Sequence, residues 1–349
     1  MMIDAHTLQQ QALTTLRRLG CHEAEAAAVA EHLLAANLSG HDSHGIGMLP
    51  FYVDSCRRGT LKVNQSLQTV QDFGAILQFD AQRGFGQHLT RQAVDLALQR
   101  ADSTGVVLLT LRNAHHMGRI GSYGEQVAAA GKVGLFFVNV TDCVQGFVAP
   151  FGGGEGRFGT NPVCISHPAS GHNPAFVLDF ATSMVAYNKT RVAYLAGTEF
   201  AQPVMVDAHG VPSTNPAVMH EAPFGALLPM GEHKGGGLMG AVEFLAGLLS
   251  GGGTNQPGNP RLDGIVNHMS AIIINPQQLG DWGWMQTEYD AMTNFIRSTP
   301  PAAGVAQVLM PGDPERYQRQ QRLQNGIEIS DAEWQAILAA TEQARPFAG

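Results

Sequence analysis

The chain has 349 residues, 44 % of them apolar and 14 % charged, with 41 glycines and a net charge of −8 at pH 7. That length and apolar share predict two lobes around a sizeable core, and the low charge fits subunit contacts buried in an oligomer. The negative balance, without a run of five basic residues, excludes a nucleic-acid partner; no stretch of about 18 apolar residues predicts a membrane span.

Along the chain, Asp4 is placed to cap a first helix that Gly20 ends, with Leu8, Ala12, Leu13, Leu16 and Leu19 as its apolar stripe. A second helix is predicted over Glu23–Leu38, closed by Gly40. Leu49, Val53 and Cys56 then recur at helical spacing before Gly59, with Pro50 tolerable in a first turn. On this pattern Ser43 is a candidate N-cap, and His44 lies at a helix N-terminus whose dipole favours the neutral imidazole. Apolar runs at 106–111 and 133–140 predict buried strands with a helix at 121–130 between them. Further strands are expected at 176–180 and 271–274. A Gly-rich helix buried on most sides is expected at 235–249, and further helices at 284–297, 315–324 and 331–343. The expected organisation is an N-terminal helical and substrate part over 1–110 and a sheet-rich dinucleotide-binding part over 111–275. C-terminal helices over 276–349 are expected to pack back on the N-terminal part. The N-terminus lacks a basic stretch followed by an apolar one, so no signal peptide is expected. Cys21, Cys56, Cys143 and Cys164 form no CxxC pair and read as reduced thiols of a cytoplasmic protein.

Two motifs invite readings that their context refuses. Gly154-Glu155-Gly156-Arg157-Phe158-Gly159 matches GxGxxG, but Thr160-Asn161-Pro162 follows it as extended chain where a Rossmann helix should open. His41-x-x-His44 and His115-His116 lack the acidic partner of a known metal spacing, and adjacent histidines on a strand point to opposite faces. No metal is expected, and His41 and His115 read as satisfied polar groups near the core. No GxSxG or Cys/His signature supports nucleophilic catalysis.

Ser43-His44-Gly45 is the most informative segment, because a histidine held in a tight turn exchanges protons near neutral pH. Five later segments accompany it: Asn113-Ala114-His115-His116-Met117-Gly118-Arg119-Ile120-Gly121, Ala149-Pro150-Phe151-Gly152-Gly153-Gly154, Phe158-Gly159-Thr160-Asn161-Pro162, Asp179-Phe180-Ala181-Thr182-Ser183 with Lys189, and Leu228-Pro229-Met230-Gly231-Glu232-His233-Lys234-Gly235. From about Asp4 to about Ile337, in order, the chain resembles the malate/L-lactate dehydrogenase family of the second, non-Rossmann type.

That resemblance implies NAD- or NADP-dependent interconversion of 2-oxo and 2-hydroxy acids by a homodimer. It implies an α/β fold with a non-Rossmann mixed, largely antiparallel sheet, flanking helices and a helical part built from both termini. His44 matches the family's catalytic histidine, the proton donor in reduction. His116 matches a second active-site histidine, ranked as a polariser of the substrate oxygen. Ser43 is either an orienter and substrate contact or a plain N-cap. Asp179 either fixes His44, bonds on the nicotinamide side, or caps a turn. Thr160 is assigned to the substrate. His44, Arg119, Ile120, Gly121, Leu178, Asp179, Phe180, Ala181, Thr182, Ser183, His233, Lys234, Gly235, Asp313 and Glu315 match positions that line the dinucleotide. Thr182 and Ser183 are expected to offer hydroxyls and amides to the pyrophosphate. Many members carry arginine where this chain has Met48, and a small residue where it has Arg119. Arg119 is therefore expected to bind the substrate carboxylate or a cofactor phosphate, and Met48 to favour bulky or aromatic acids. The competing readings are a His-centred metal hydrolase and a catalytically idle dinucleotide binder. The sequence leaves NAD against NADP open.

Overall fold

The computed structural model describes residues 1–142, 146–260, 262 and 264–347. In chain order it comprises β1 (Met2–Ile3), α1 (Ala5–Arg18), α2 (Glu23–Leu38), α3 (Leu49–Arg58), β2 (Gln68–Phe73), β3 (Ile76–Asp80), α4 (Gly86–Thr104), β4 (Val106–His115), α5 (Gly121–Ala129), β5 (Val133–Thr141), β6 (Val163–His167) and β7 (Phe176–Phe180). It continues with α6 (Tyr187–Ala196), β8 (Met205–Val206), β9 (Pro212–Ser213), β10 (Ala226–Leu227), α7 (His233–Val242), β11 (Val266–Ile274), α8 (Trp282–Arg297), α9 (Asp313–Asn325), β12 (Ile327–Glu328) and α10 (Asp331–Gln343).

The expected fold class holds. Seven strands form one sheet in the order β2-β3-β4-β11-β5-β6-β7, and only the β3–β4 pair is parallel. Alternation along β5 shows how the sheet is covered on both faces. Phe136 and Val138 join the core under α4 and α5, whereas Phe137 turns to the opposite face with Val242 and Ala246. A second core lies among α1, α2, α3 and α10, where Leu8, Leu16, Val29, Leu33, Tyr52 and Ile337 pack together. Asp4 caps α1 as expected, accepting from the Thr7 amide at 2.9 Å.

The structure redraws several boundaries. The sheet begins at Gln68 rather than after residue 110, because β2, β3 and α4 belong to its layer. Helix α4 carries no bulky stripe. It packs on the sheet through Leu89, Ala93, Val94, Ala97 and Ala101, a face too small-residued to announce itself in sequence. Helices α9 and α10 pack back on the N-terminal helices, but α8 lies beside the β6–β7 hairpin. There Tyr289 stacks on His167 at 4.6 Å and donates to the Pro174 carbonyl. The expected 235–249 helix divides into α7 and a π-helical turn, Glu243–Leu248, and its end is not buried: Phe244, Leu248 and Leu249 face outward. Cys21, Cys56 and Cys164 are buried free thiols; Cys143 lies outside the described residues. Among the described residues no helix is long and apolar enough to cross a membrane.

Candidate active site

The loop carrying His44 is built of two 3-10 turns, Asp42–His44 and Ile46–Met48, before α3 starts at Leu49. Ser43 is therefore no helix N-cap, and His44 closes a 3-10 turn five residues before α3 rather than opening that helix. Instead the Ser43 hydroxyl lies 2.8 Å from His44 Nδ1. The loop is braced from α2: Asn37 donates to Asp42 at 2.7 Å and accepts from the Ile46 amide at 2.8 Å. Arg322 of α9 grips Asp42 with two nitrogens, at 2.6 and 2.9 Å. A side chain at Gly45 would clash with the Asn37 amide, so the brace and the glycine require each other.

His116 lies one residue past β4. Its amide donates to the Ile265 carbonyl, and Asn267 accepts from the next amide, so the chain is held as it leaves the sheet. Its ring stacks on His44, with centroids 5.5 Å apart and planes 19° from parallel. Tyr52 Oη lies 2.7 Å from His116 Nδ1, and Gln87 Nε2 donates to the same hydroxyl at 2.6 Å. His32 accepts from the Arg119 amide, and Gly118 turns against it at φ +74°, where any side chain would clash with the imidazole. His115, the last residue of β4, points away into the core beside Phe51 and Tyr52, but it is not the satisfied polar group expected: neither ring nitrogen has a hydrogen-bond partner.

Burial holds these imidazoles neutral. It pushes His44 down to about 4, with His41 and Arg119 adding to the effect. It pushes His116 well below the usual histidine range, with His44 next in importance. At neutral pH the pair is unprotonated, with a vacant ring nitrogen on each, but burial makes both rings weak bases. An anion brought against it would raise its basicity and turn it into a donor.

The remaining expected site residues gather in two further groups. The first surrounds Arg119, which is only 2 % exposed. It pairs with Glu125 at 2.8 Å and lies 3.8 Å from Asp179, and its Nε has no hydrogen-bond partner. Asp179 accepts from the Gly121 amide at 2.7 Å, so its hydrogen bond caps α5. Burial raises its pKa. Ile120 is buried beside it, and Glu315 joins from α9 through His41 at 3.3 Å. Asp313, by contrast, is engaged by Arg297, Arg316 and the Met310 amide.

The second group stitches three loops together. The Thr160 carbonyl accepts from both the amide and the hydroxyl of Thr182, each at 2.9 Å. Ser183 donates to the Val185 carbonyl. These hydroxyl protons are engaged within the fold, so they are not on offer to a pyrophosphate as the sequence suggested. Leu178, Phe180 and Ala181 are half-buried beside them. The Met230 amide donates to Thr182, and the Met230 carbonyl presses on Gly235 where a side chain would clash. His233 and Lys234 are exposed at the start of α7, which has no side-chain N-cap. An uncapped helix start with a lysine in its first turn fits a dinucleotide's phosphates. Met48 is half-buried against the N-terminal core.

The Gly154–Gly159 segment opens no helix; Val148 and Phe158 bridge across it as a hairpin. It borders a cavity of about 480 Å³ with Phe158, Glu243, Phe244 and Pro257, apart from the histidines. Among the described residues no group of His, Cys, Asp and Glu is placed to hold a metal ion.

Residues 3–338 match the malate/L-lactate dehydrogenase family. The chain belongs to that family. It is 42 % identical over 342 residues to hydroxycarboxylate dehydrogenase B of Escherichia coli, covering 97 % of this chain and 93 % of that protein. It is 39 % identical over 309 residues to an L-lactate dehydrogenase of Cupriavidus necator, 88 % of each chain. The solved sulfolactate dehydrogenase of Methanocaldococcus jannaschii superposes with a TM-score of 0.85 at 28 % identity, covering 99 % of this chain and 98 % of that one. Against this family background, Tyr52, Gln87 and Asn37 are the site residues that motif reading missed. Tyr52 sits in the apolar stripe of α3 and looks like core; the clue is that a buried phenol must find a hydrogen-bond partner.

Proposed function

We propose that this member of the malate/L-lactate dehydrogenase family is a cytoplasmic homodimer that interconverts 2-oxo and 2-hydroxy acids with NAD or NADP. The observation that carries this reading is the stacked, neutral His44–His116 pair, His44 half-buried and His116 buried at the end of the sheet. The bound dinucleotide supplies or accepts the hydride at the nicotinamide ring.

In reduction, His44 gives its proton to the oxygen that becomes the hydroxyl; in oxidation it takes that proton back. The low pKa of His44 leaves the ring unprotonated at neutral pH, and the carboxylate of an arriving 2-oxo acid raises its basicity so that it can hold and pass on the proton. Ser43 orients the ring through Nδ1, leaving Nε2 for the reacting oxygen. His116 polarises that oxygen. Arg119 acts on the substrate carboxylate or a cofactor phosphate, a role supported by its buried positive charge beside the two histidines' loops. Met48 makes the site more apolar than an arginine would, which favours bulky or aromatic acids.

Oxidation of NADH and of NADPH by a panel of 2-oxo acids tests the proposal, with His44→Gln as control. The expected result is turnover with at least one acid, lost in the variant. Dinucleotide binding without turnover on any acid would leave an idle binder and overturn the proposal.

A further inference from the structure

Tyr52, on the buried face of α3, brings a phenol hydroxyl to the two stacked histidines. Its ring is wedged edge-on against Phe85 at 5.5 Å and 85°, and against His115 at 5.9 Å and 74°. That packing fixes where the hydroxyl points. Gln87 reaches it from the first turn of α4, a turn held against the end of β4 because Gly86 lies on the His115 carbonyl with no room for a side chain.

The direction of the hydrogen bonds follows from the donors present. Gln87 Nε2 can only donate, so the Tyr52 oxygen accepts from it at 2.6 Å. Burial pushes the Tyr52 phenol up, so it keeps its one proton. That proton is then directed at His116 Nδ1, 2.7 Å away. A neutral imidazole that accepts at Nδ1 carries its own proton on Nε2.

We infer that Tyr52, held by Gln87, is a positioning residue that fixes His116 as the Nε2–H tautomer, so that His116 meets the substrate oxygen as a neutral hydrogen-bond donor and leaves proton exchange to His44. The inference rests on the proposed oxidoreductase reading for its chemistry. It gives a physical cause for the different roles of the two stacked histidines: one ring meets the Ser43 hydroxyl, the other a phenol wedged against Phe85 and His115. No bond forms or breaks at His116; the hydrogen bond from its Nε2 shortens as negative charge grows on the oxygen.

The test is a histidine ¹⁵N spectrum of the intact protein near pH 7.5, with the His116 signals assigned by their loss in His116→Gln. Pyridine-like Nδ1 with pyrrole-like Nε2 is expected, and a protonated Nδ1 would overturn the inference. In folded Tyr52→Phe, the ring should lose its single tautomer. Its kcat should fall about tenfold to a hundredfold, the usual cost of losing an imidazole's orienting partner, with the dinucleotide KM unchanged. A retained single tautomer with unchanged kcat would count against it. If Tyr52→Phe does not fold, Gln87→Leu releases the phenol's orientation from the other side and is read in the same two ways. A wild-type protein inactive on every 2-oxo acid would overturn the functional proposal, while the spectrum still decides the tautomer.

Discussion

His115 and His116 are neighbours in sequence but face different surroundings, and His115 offers the more quantitative test. Its side chain is fully buried against Phe51 and Tyr52, and neither ring nitrogen has a hydrogen-bond partner. Burial, with the nearby charges of Arg83 and Arg58, pushes it down to about 3. In the unfolded chain it titrates at about 6.5. As pH falls below that value the unfolded chain takes up a proton that the native state refuses until about 3. The native state therefore loses stability across that window. At pH 5 the gap is about 1.5 pH units, or about 2 kcal/mol. His115→Leu, similar in volume, removes this titration and two unpaired nitrogens at the expense of a ring stack. At pH 7.5 its stability should lie within about 1 kcal/mol of wild type. Between pH 7.5 and pH 5 the variant should gain about 2 kcal/mol on wild type. Urea unfolding of both proteins at the two pH values, at one protein concentration, measures that gain. A gain below about 0.5 kcal/mol, or a loss, would refute the claim that His115 is held neutral by burial.

Three further outcomes follow from the site. His44→Gln should lower kcat for 2-oxo acid reduction by about a hundredfold to ten-thousandfold with the melting temperature little changed; near-normal kcat would assign the proton to another group. Arg119→Ala should raise the KM of the 2-oxo acid or of the dinucleotide, and should lower stability because it strips Glu125 and Asp179 of a buried partner. Unchanged KM for both ligands would leave Arg119 a purely structural residue. In a substrate panel phenylpyruvate should outperform oxaloacetate in kcat/KM, and the reverse order would remove the role given to Met48.

Much of this protein is written in short-range pattern. The extents of α2 and α10 are those that periodicity and capping predict, and Asp4 caps α1 where expected. Strands β4, β5 and β7 lie on their apolar runs; β4 and β5 are covered by packing on both faces of the sheet and so need apolar side chains at most positions, and β7 closes the sheet edge with mostly half-buried apolar residues. Strands β2 and β3 escaped that reading. All of β2 is exposed, and an edge strand with a polar face leaves no apolar run to find. The refusal of GxGxxG also rested on local physics, since proline cannot continue a helix that has just opened.

What only the tertiary structure decided is how the candidate catalytic groups are oriented. The chain by itself marked His44 and His116 and the order of the motifs around them, because tight turns and residue chemistry are properties of neighbours in sequence. It could not show that a phenol 64 residues from His116 directs that ring, or that an arginine 280 residues from Asp42 braces the His44 loop. Nor could it show that the hydroxyls of Thr182 and Ser183 are engaged by nearby carbonyls. Those bonds exist because burying a polar group demands a partner, and which partner comes within reach is settled only when helix and sheet layers pack.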